Sequence, residues 1–449
     1  AKRAAALRQA AEAAPDPARE LAALEPLAGI ESSDLGLQRL LAEKLHAAGR
    51  YEDEVGVLAE SAARAEPGRQ AALLLRAAAV ARQELGDRER ARSLRARALA
   101  ADPENLEALR ATLEDLREQA EPERLAAALA ELASRTDDVA EAGQARLERA
   151  RCLEASGSAD AADAWASLVA TGREAPGFGE ACERARALYE EAERFREAAE
   201  VLVAKADAEP AAAAASLLAA ARLLDERAGE PERALELLER AAQASPESCL
   251  PYAARVAIFE RLGRSAEQAE ALLGEARRLE SAPERAPRLL RAGALLAGLE
   301  RWDEALSALR GAVDADGRLS EARLALAEVC ERRGHGEEAL EQVLAVLELD
   351  GDGAERRKEL ELRGARLARA VGRAPEALRL FEAAFARDSG DDEAFAAVRE
   401  LAAGDTAKLV ALLERREEQL VERGEPARAE LVELRCDKAE LLVRELAAG

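Results

Sequence analysis

Methionine is absent from the 449 residues, asparagine occurs once (Asn105) and histidine twice (His46 and His335). Aromatic residues make up only 2% of the chain, so its 49% hydrophobic content is mostly alanine and leucine. Isoleucine occurs only at Ile30 and Ile258, and with β-formers so scarce little sheet is expected. The five cysteines, Cys152, Cys182, Cys249, Cys330 and Cys436, are widely spaced, and no CxxC pair exists. That spacing argues against a disulfide framework or a cysteine zinc site, and a reducing, cytoplasmic compartment fits it. No apolar run approaches the ~20 residues that span a bilayer, and the charge-broken alanine stretch at the amino terminus makes a poor signal peptide.

What the chain has in excess is charge. There are 89 Asp+Glu against 65 Lys+Arg, a net charge of −24. The acidic balance (pI near 4.8) disfavours a nucleic-acid platform, which needs a basic face. The basic residues are nearly all arginine, a skew read as a GC-rich, bacterial genome. Ala, Leu, Glu and Arg together favour long helices.

One period organises the sequence. A small or aliphatic residue recurs at Val55, Ala91, Leu125, Ala161, Ala198, Ala234, Ala269, Ala305, Ala339, Ala377 and Leu409, with gaps of 36, 34, 36, 37, 36, 35, 36, 34, 38 and 32. Apolar residues follow four and seven positions later at most marks, which is one face of an α-helix. Twelve residues on, Pro67, Pro103, Pro210, Pro246, Gly317 or Gly351 stops that helix. A second apolar helix precedes each mark and ends at a glycine such as Gly49, Gly86, Gly157, Gly229, Gly263, Gly334 or Gly372. Each unit therefore predicts a helix, a tight turn and a second helix.

These motifs resemble the tetratricopeptide repeat (TPR) family, whose pattern is W-x2-L-G-x2-Y, then A-x3-F, then A, then P. The best match runs from Ala286 to Asp316, with Leu289, Ala292, Gly293 and Leu296 in the first helix, Trp302 at the turn, and Ala305, Leu309 and Ala312 in the second. Most family aromatics are replaced by Leu or Ala, and the units at Leu125, Ala161 and Leu409 are degenerate. The resemblance implies an all-α, right-handed superhelical solenoid of about 11 repeats with at least twenty helices. It would run over 1–449 as one continuous array, with a degenerate repeat at 1–34, repeats over 35–423, and an unpaired or truncated helix at 424–449. The missing start and the helix ending at Gly449 suggest a fragment of a longer protein.

Catalytic chemistry is hard to assemble from these residues, and neither an enzyme nor a cofactor is expected. His46 and His335 lie at turns with no second ligand near in sequence, so no metal is expected. Cys330 and His335 are local neighbours, but their spacing across a helix end suits proton transfer poorly. Cys182, Cys249 and Cys330 read as small core residues. The DGDG at 350–353 departs from the calcium-loop pattern and reads as an inter-repeat turn.

In the family the first helix of each unit lines a concave groove for a peptide or partner helix. The implied groove positions are Glu180, Glu183, Glu190 and Glu191 in one unit, Leu290, Ala294 and Ala297 in a second, and Glu321, Leu324, Glu328 and Glu331 in a third. The resemblance thus implies an interaction scaffold whose partner is a protein segment, basic in character, with neither nucleic acid nor membrane insertion. The alternative is a regulatory or targeting arm of a larger protein whose catalytic domain lies outside this sequence; homotypic stacking is a third. The family's clamp for chaperone tails needs two asparagines and cannot be built with Asn105 alone.

Overall fold

The computed structural model describes residues 2–349, 353–423 and 428–448, and the DGDG segment therefore lies outside the described residues except for Gly353. Every regular element among them is helical. Backbone contacts group into two units, Ala1–Glu230 and Pro231–Gly449, considered in turn.

The first unit opens with α1 (Lys2–Glu12) and α2 (Pro17–Ile30). Five hairpins follow: α3 (Leu35–Ala47) with α4 (Tyr51–Ala62), α5 (Pro67–Gln83) with α6 (Arg88–Ala101), and α7 (Leu106–Gln119) with α8 (Pro122–Arg135). Then come α9 (Val139–Ala155) with α10 (Ala161–Val169), and α11 (Phe178–Glu191) with α12 (Phe195–Ala208). The unit closes on α13 (Ala213–Arg222), whose last turn widens into a π-turn at Leu223–Arg227. Each helix packs against the one before and the one after it, the nearest-neighbour pattern of a repeat array.

The second unit begins with α14 (Pro231–Ala244). It continues with α15 (Leu250–Leu262) and α16 (Ser265–Ala276), α17 (Ala282–Gly298) and α18 (Trp302–Ala315), and α19 (Ser320–Arg333) and α20 (Gly336–Glu348). The last elements are α21 (Ala354–Ala370) and α22 (Ala374–Arg387), α23 (Asp392–Leu401) and α24 (Thr406–Arg423), and α25 (Arg428–Ala448). α25 lies along α24 through Leu413, Leu420 and Leu434.

All eleven periodic residues are buried, from Val55 to Leu409, which explains why the period survives where other motif positions drift. Four positions on, Leu129, Trp165, Leu238, Leu309, Val343 and Phe381 are also sealed from solvent. Arg95 occupies that slot in α6 without being apolar. Its Nη1 donates to Asp115 Oδ1 at 2.8 Å and to the Ala111 carbonyl at 3.3 Å, so the buried charge is paired. Burial raises the Asp115 carboxyl pKa despite that arginine.

Small residues mark the closest helix crossings. A Cβ added at Gly293 would lie 2.5 Å from Leu309, and one at Gly274 would lie 2.4 Å from Tyr252. The units marked degenerate by sequence still fold as hairpins, because their i, i+4 apolar pairs persist. α10 has only nine residues, yet Trp165 is fully buried there and donates its indole N–H to Glu154 at 2.8 Å.

Several helix starts follow from side-chain chemistry. Asp34, Asp87, Asp138 and Asp391 each accept backbone N–H bonds from the first turn of α3, α6, α9 and α23. The single asparagine is explained in this way: Asn105 caps α7 by accepting from the Ala108 N–H at 3.0 Å.

A first-helix face and a cysteine–histidine–glutamate cluster

The implied groove residues sit on three first helices, α11, α17 and α19. Ala294, Ala297 and Glu328 are brought together in a cleft of about 270 Å³ between α17, α18 and α19. Trp302, Ala325 and Arg332 complete its wall, with the Arg332 guanidinium 5.7 Å from the centre of the Trp302 ring. Leu290 and Leu324 pack half-buried against the core beneath α17 and α19.

The glutamates of this face have partners that the sequence reading did not assign. Glu180 pairs with Arg151 of α9 at 2.6 Å, and Glu331 pairs with Arg363 of α21 at 2.7 Å. Glu183 accepts from Lys205 at 2.7 Å, Glu190 from Arg186 at 2.5 Å, and Glu328 pairs with Arg332 at 2.9 Å. Glu191 and Glu321 have no ion-pair partner among the described residues, and both are exposed. Hydrogen bonds from Arg151 and Lys205 hold the Glu180 and Glu183 carboxyls below their ordinary range.

The Glu180 and Glu331 pairs belong to a wider ladder between neighbouring first helices within each unit. Arg110 and Arg117 of α7 form two-pronged bonds at 2.7 and 2.8 Å to Glu141 and Glu148 of α9. In the second unit Arg291 of α17 reaches Glu260 of α15, and Arg366 of α21 reaches Glu393 of α23. Glu141 is held lowest, at a pKa of about 2, first by Arg110 and then by the Thr136 hydroxyl. Planar guanidinium–carboxylate forks fix geometry as well as charge, so the ladder sets the register of adjacent first helices. Its sequence signal is an arginine and a glutamate about 31 positions apart, as in 110/141, 117/148 and 260/291. In a chain with this many of both residues, that spacing is hidden.

Both histidines have a carboxylate close by in the fold. His46 Nδ1 lies 2.8 Å from Glu54 Oε2, a fully buried carboxylate also approached by Arg76 at 3.3 Å. At the α19–α20 turn, Cys330 Sγ, an imidazole nitrogen of His335 and a Glu338 carboxylate oxygen all lie within 4.8 Å of one another. Gly334, at φ +81°, reverses the chain there, and the His335 N–H donates to the Cys330 carbonyl at 2.8 Å. Glu338 falls in the first turn of α20, three residues past His335, and so faces it. Burial pushes the Cys330 thiol up to about 12, while Arg310, bonded to both Glu338 oxygens at 2.7 Å, keeps that carboxyl low. The readable signal was Cys-x4-His-x2-Glu across a hairpin turn. Reading Cys330 and His335 as a pair left Glu338 out. All five cysteines are free thiols, Cys182 and Cys330 being buried.

No helix among the described residues is long and apolar enough to cross a membrane. No family model matches the sequence, and no curated protein matches it. Among solved structures, the chain is similar to YrrB, described as a TPR protein with an unusual peptide-binding site. The identity is 22%, the match covers 41% of this chain and 91% of that one, and the TM-score is 0.30. It is also similar to the C-terminal part of a TPR repeat-containing protein from Cytophaga hutchinsonii, at 14% identity over 56% of this chain and 98% of that one, with a TM-score of 0.30. The yeast protein Tom70 matches at 14% identity over 90% of this chain and 94% of that one, with a TM-score of 0.25. The solved structures to which this helical-hairpin chain is similar thus include proteins described as TPR repeats.

Proposed function

We propose that the chain is a protein-interaction scaffold that holds a basic-amphipathic segment of a partner along its first-helix face. The observation that carries this reading is the cleft lined by Ala294, Ala297, Trp302, Ala325, Glu328 and Arg332. It joins an apolar floor to charged walls, the combination that anchors a side chain and orients it. Leu290 and Leu324 extend the apolar contacts along α17 and α19, and the exposed Glu321 adds a carboxylate free to meet a cation. The ion-pair partners of Glu180, Glu183, Glu190, Glu328 and Glu331 reduce local acidity, so steering comes from the overall charge of −24 and docking from the cleft.

The test uses a fluorescein-labelled, Lys/Leu-patterned helical peptide titrated against the full chain by anisotropy at two salt concentrations. Ala294 is exposed, so Ala294→Arg blocks the cleft without disturbing the core. Saturable binding that weakens with salt and falls at least about tenfold in this variant is the expected outcome. Equal binding by both proteins overturns the cleft as the docking site.

A further inference from the structure

The α19–α20 turn differs from its counterparts in a way that points to a ligand. Five other turns end on an arginine whose N–H donates to the carbonyl five residues back: Arg50 to Leu45, Arg194 to Tyr189, Arg264 to Phe259, Arg301 to Leu296, and Arg373 to Ala368. In each, the arginine also pairs with an acid three residues on: Asp53, Glu197, Glu267, Glu304 and Glu376, respectively. At the sixth turn the backbone bond and the acid, Glu338, are retained. The arginine is replaced by His335, and the apolar residue five back by Cys330. An ion pair has thus been exchanged for a thiol, an imidazole and a carboxylate gathered within 4.8 Å.

We infer that Cys330, His335 and Glu338 form a three-ligand site for a zinc ion that ties the last turn of α19 to the first turn of α20. Sulfur and imidazole together select a borderline metal over calcium or magnesium, and a single carboxylate completes a set that zinc accepts in tetrahedral geometry. Three protein donors leave the fourth position to water or to a side chain of a bound protein. Side-chain rotation contracts the cluster onto the ion, because His335 is exposed and at a turn, which also gives the ion its entry path. Coordination replaces the Sγ–H proton, which passes to solvent, and the sulfur binds as thiolate. Arg310 uses two of the roughly four lone-pair directions of the Glu338 carboxylate, so the others remain for metal. Its positive charge opposes the ion, which gives the site an internal control.

The experiment takes the full chain, reduced and stripped with a chelator, and titrates it with cobalt(II) and with zinc(II) against a chromophoric chelator. One equivalent of zinc should bind, and cobalt should give a near-ultraviolet thiolate charge-transfer band with tetrahedral visible bands. His335→Arg recreates the side chain used at the other five turns, and Cys330→Ala installs the residue found at Ala368, so both should keep their helical circular dichroism. Each should lose the cobalt band and bind zinc more weakly than the roughly 10–100-fold loss that removal of a mere outer-shell partner causes. Arg310→Gln should bind zinc more tightly than the wild type. No thiolate band, or zinc binding unchanged in Cys330→Ala and His335→Arg, overturns the site and assigns any bound metal to surface carboxylates.

Discussion

The turns at Arg301 and His335 belong to successive hairpins of the second unit and share nearly one backbone. The two N-cap residues have φ/ψ of −82°/65° and −85°/60°, and each donates its N–H five residues back at 2.9 and 2.8 Å. Each is followed three residues later by a glutamate. They differ in what fills that frame. The Arg301 turn has a fully buried Leu296 beneath it and an ion pair above, whereas the His335 turn has Cys330 beneath and imidazole above. The lesson is that helix ends and their backbone bonds define the hairpin, leaving two side-chain positions open to reassignment. A repeat can thus carry a chemical site without any change in its fold.

Truncation beneath the two turns should separate packing from chemistry most strongly. Leu296→Ala removes a sealed side chain and should cost about 2–5 kcal/mol. Cys330→Ala in metal-free protein loses one heavy atom and should cost only about 1 kcal/mol. Trp302, beside the first turn, reports on this region in urea unfolding once Trp165→Phe has silenced the other tryptophan. Equal losses at the two sites would show that Cys330 is held for packing.

The αL residues sharpen the same comparison with a smaller effect. Glu300 sits at φ +59° and Gly334 at φ +81°, so only the second turn has a residue free of the Cβ clash with its own carbonyl. Glu300→Gly should stabilise, and Gly334→Ala destabilise, each by about 1–2 kcal/mol in thermal or urea unfolding. Opposite signs at equivalent positions are the required result.

The hairpins were legible in the sequence because their determinants are local and repeated. Val55 through Leu409 recur at one spacing, and all are buried as the helix face requires. The seven turn glycines named from sequence, from Gly49 to Gly372, all take positive φ. Three other turns used Ala120, Glu193 and Glu300 in that conformation, residues with no sequence signal for it. Of the implied groove, Ala294, Ala297 and Glu328 line one cleft. The ion pairs of Glu180 and Glu331 were not legible, since each partner comes from a neighbouring hairpin and depends on rotamers as much as spacing. Glu338 was missed beside Cys330 and His335 because one helical turn, visible only once α20 has started, brings it back.

The smallest expected difference concerns acid. In two of the arginine turns the N-cap residue itself depresses the acid's pKa: Glu197 and Glu267 are held below their ordinary 4.5 first by the hydrogen bonds from Arg194 and Arg264. At the sixth turn Arg310, not residue 335, does most of this to Glu338. A carboxyl with a depressed folded pKa adds stability above its unfolded value, and that stability is lost as pH falls through the folded value. Arg264→Ala should therefore lower stability only slightly at pH 7, because the pair is solvent-exposed and screened. The gap from wild type should close as the pH falls below 4.5. His335→Ala, measured without metal, should leave the acid limb of the stability curve close to that of the wild type. If Arg264→Ala keeps its full deficit at pH 3, the arginine works by covering the Phe259 ring, 5.0 Å from its guanidinium, and the ion pair is incidental.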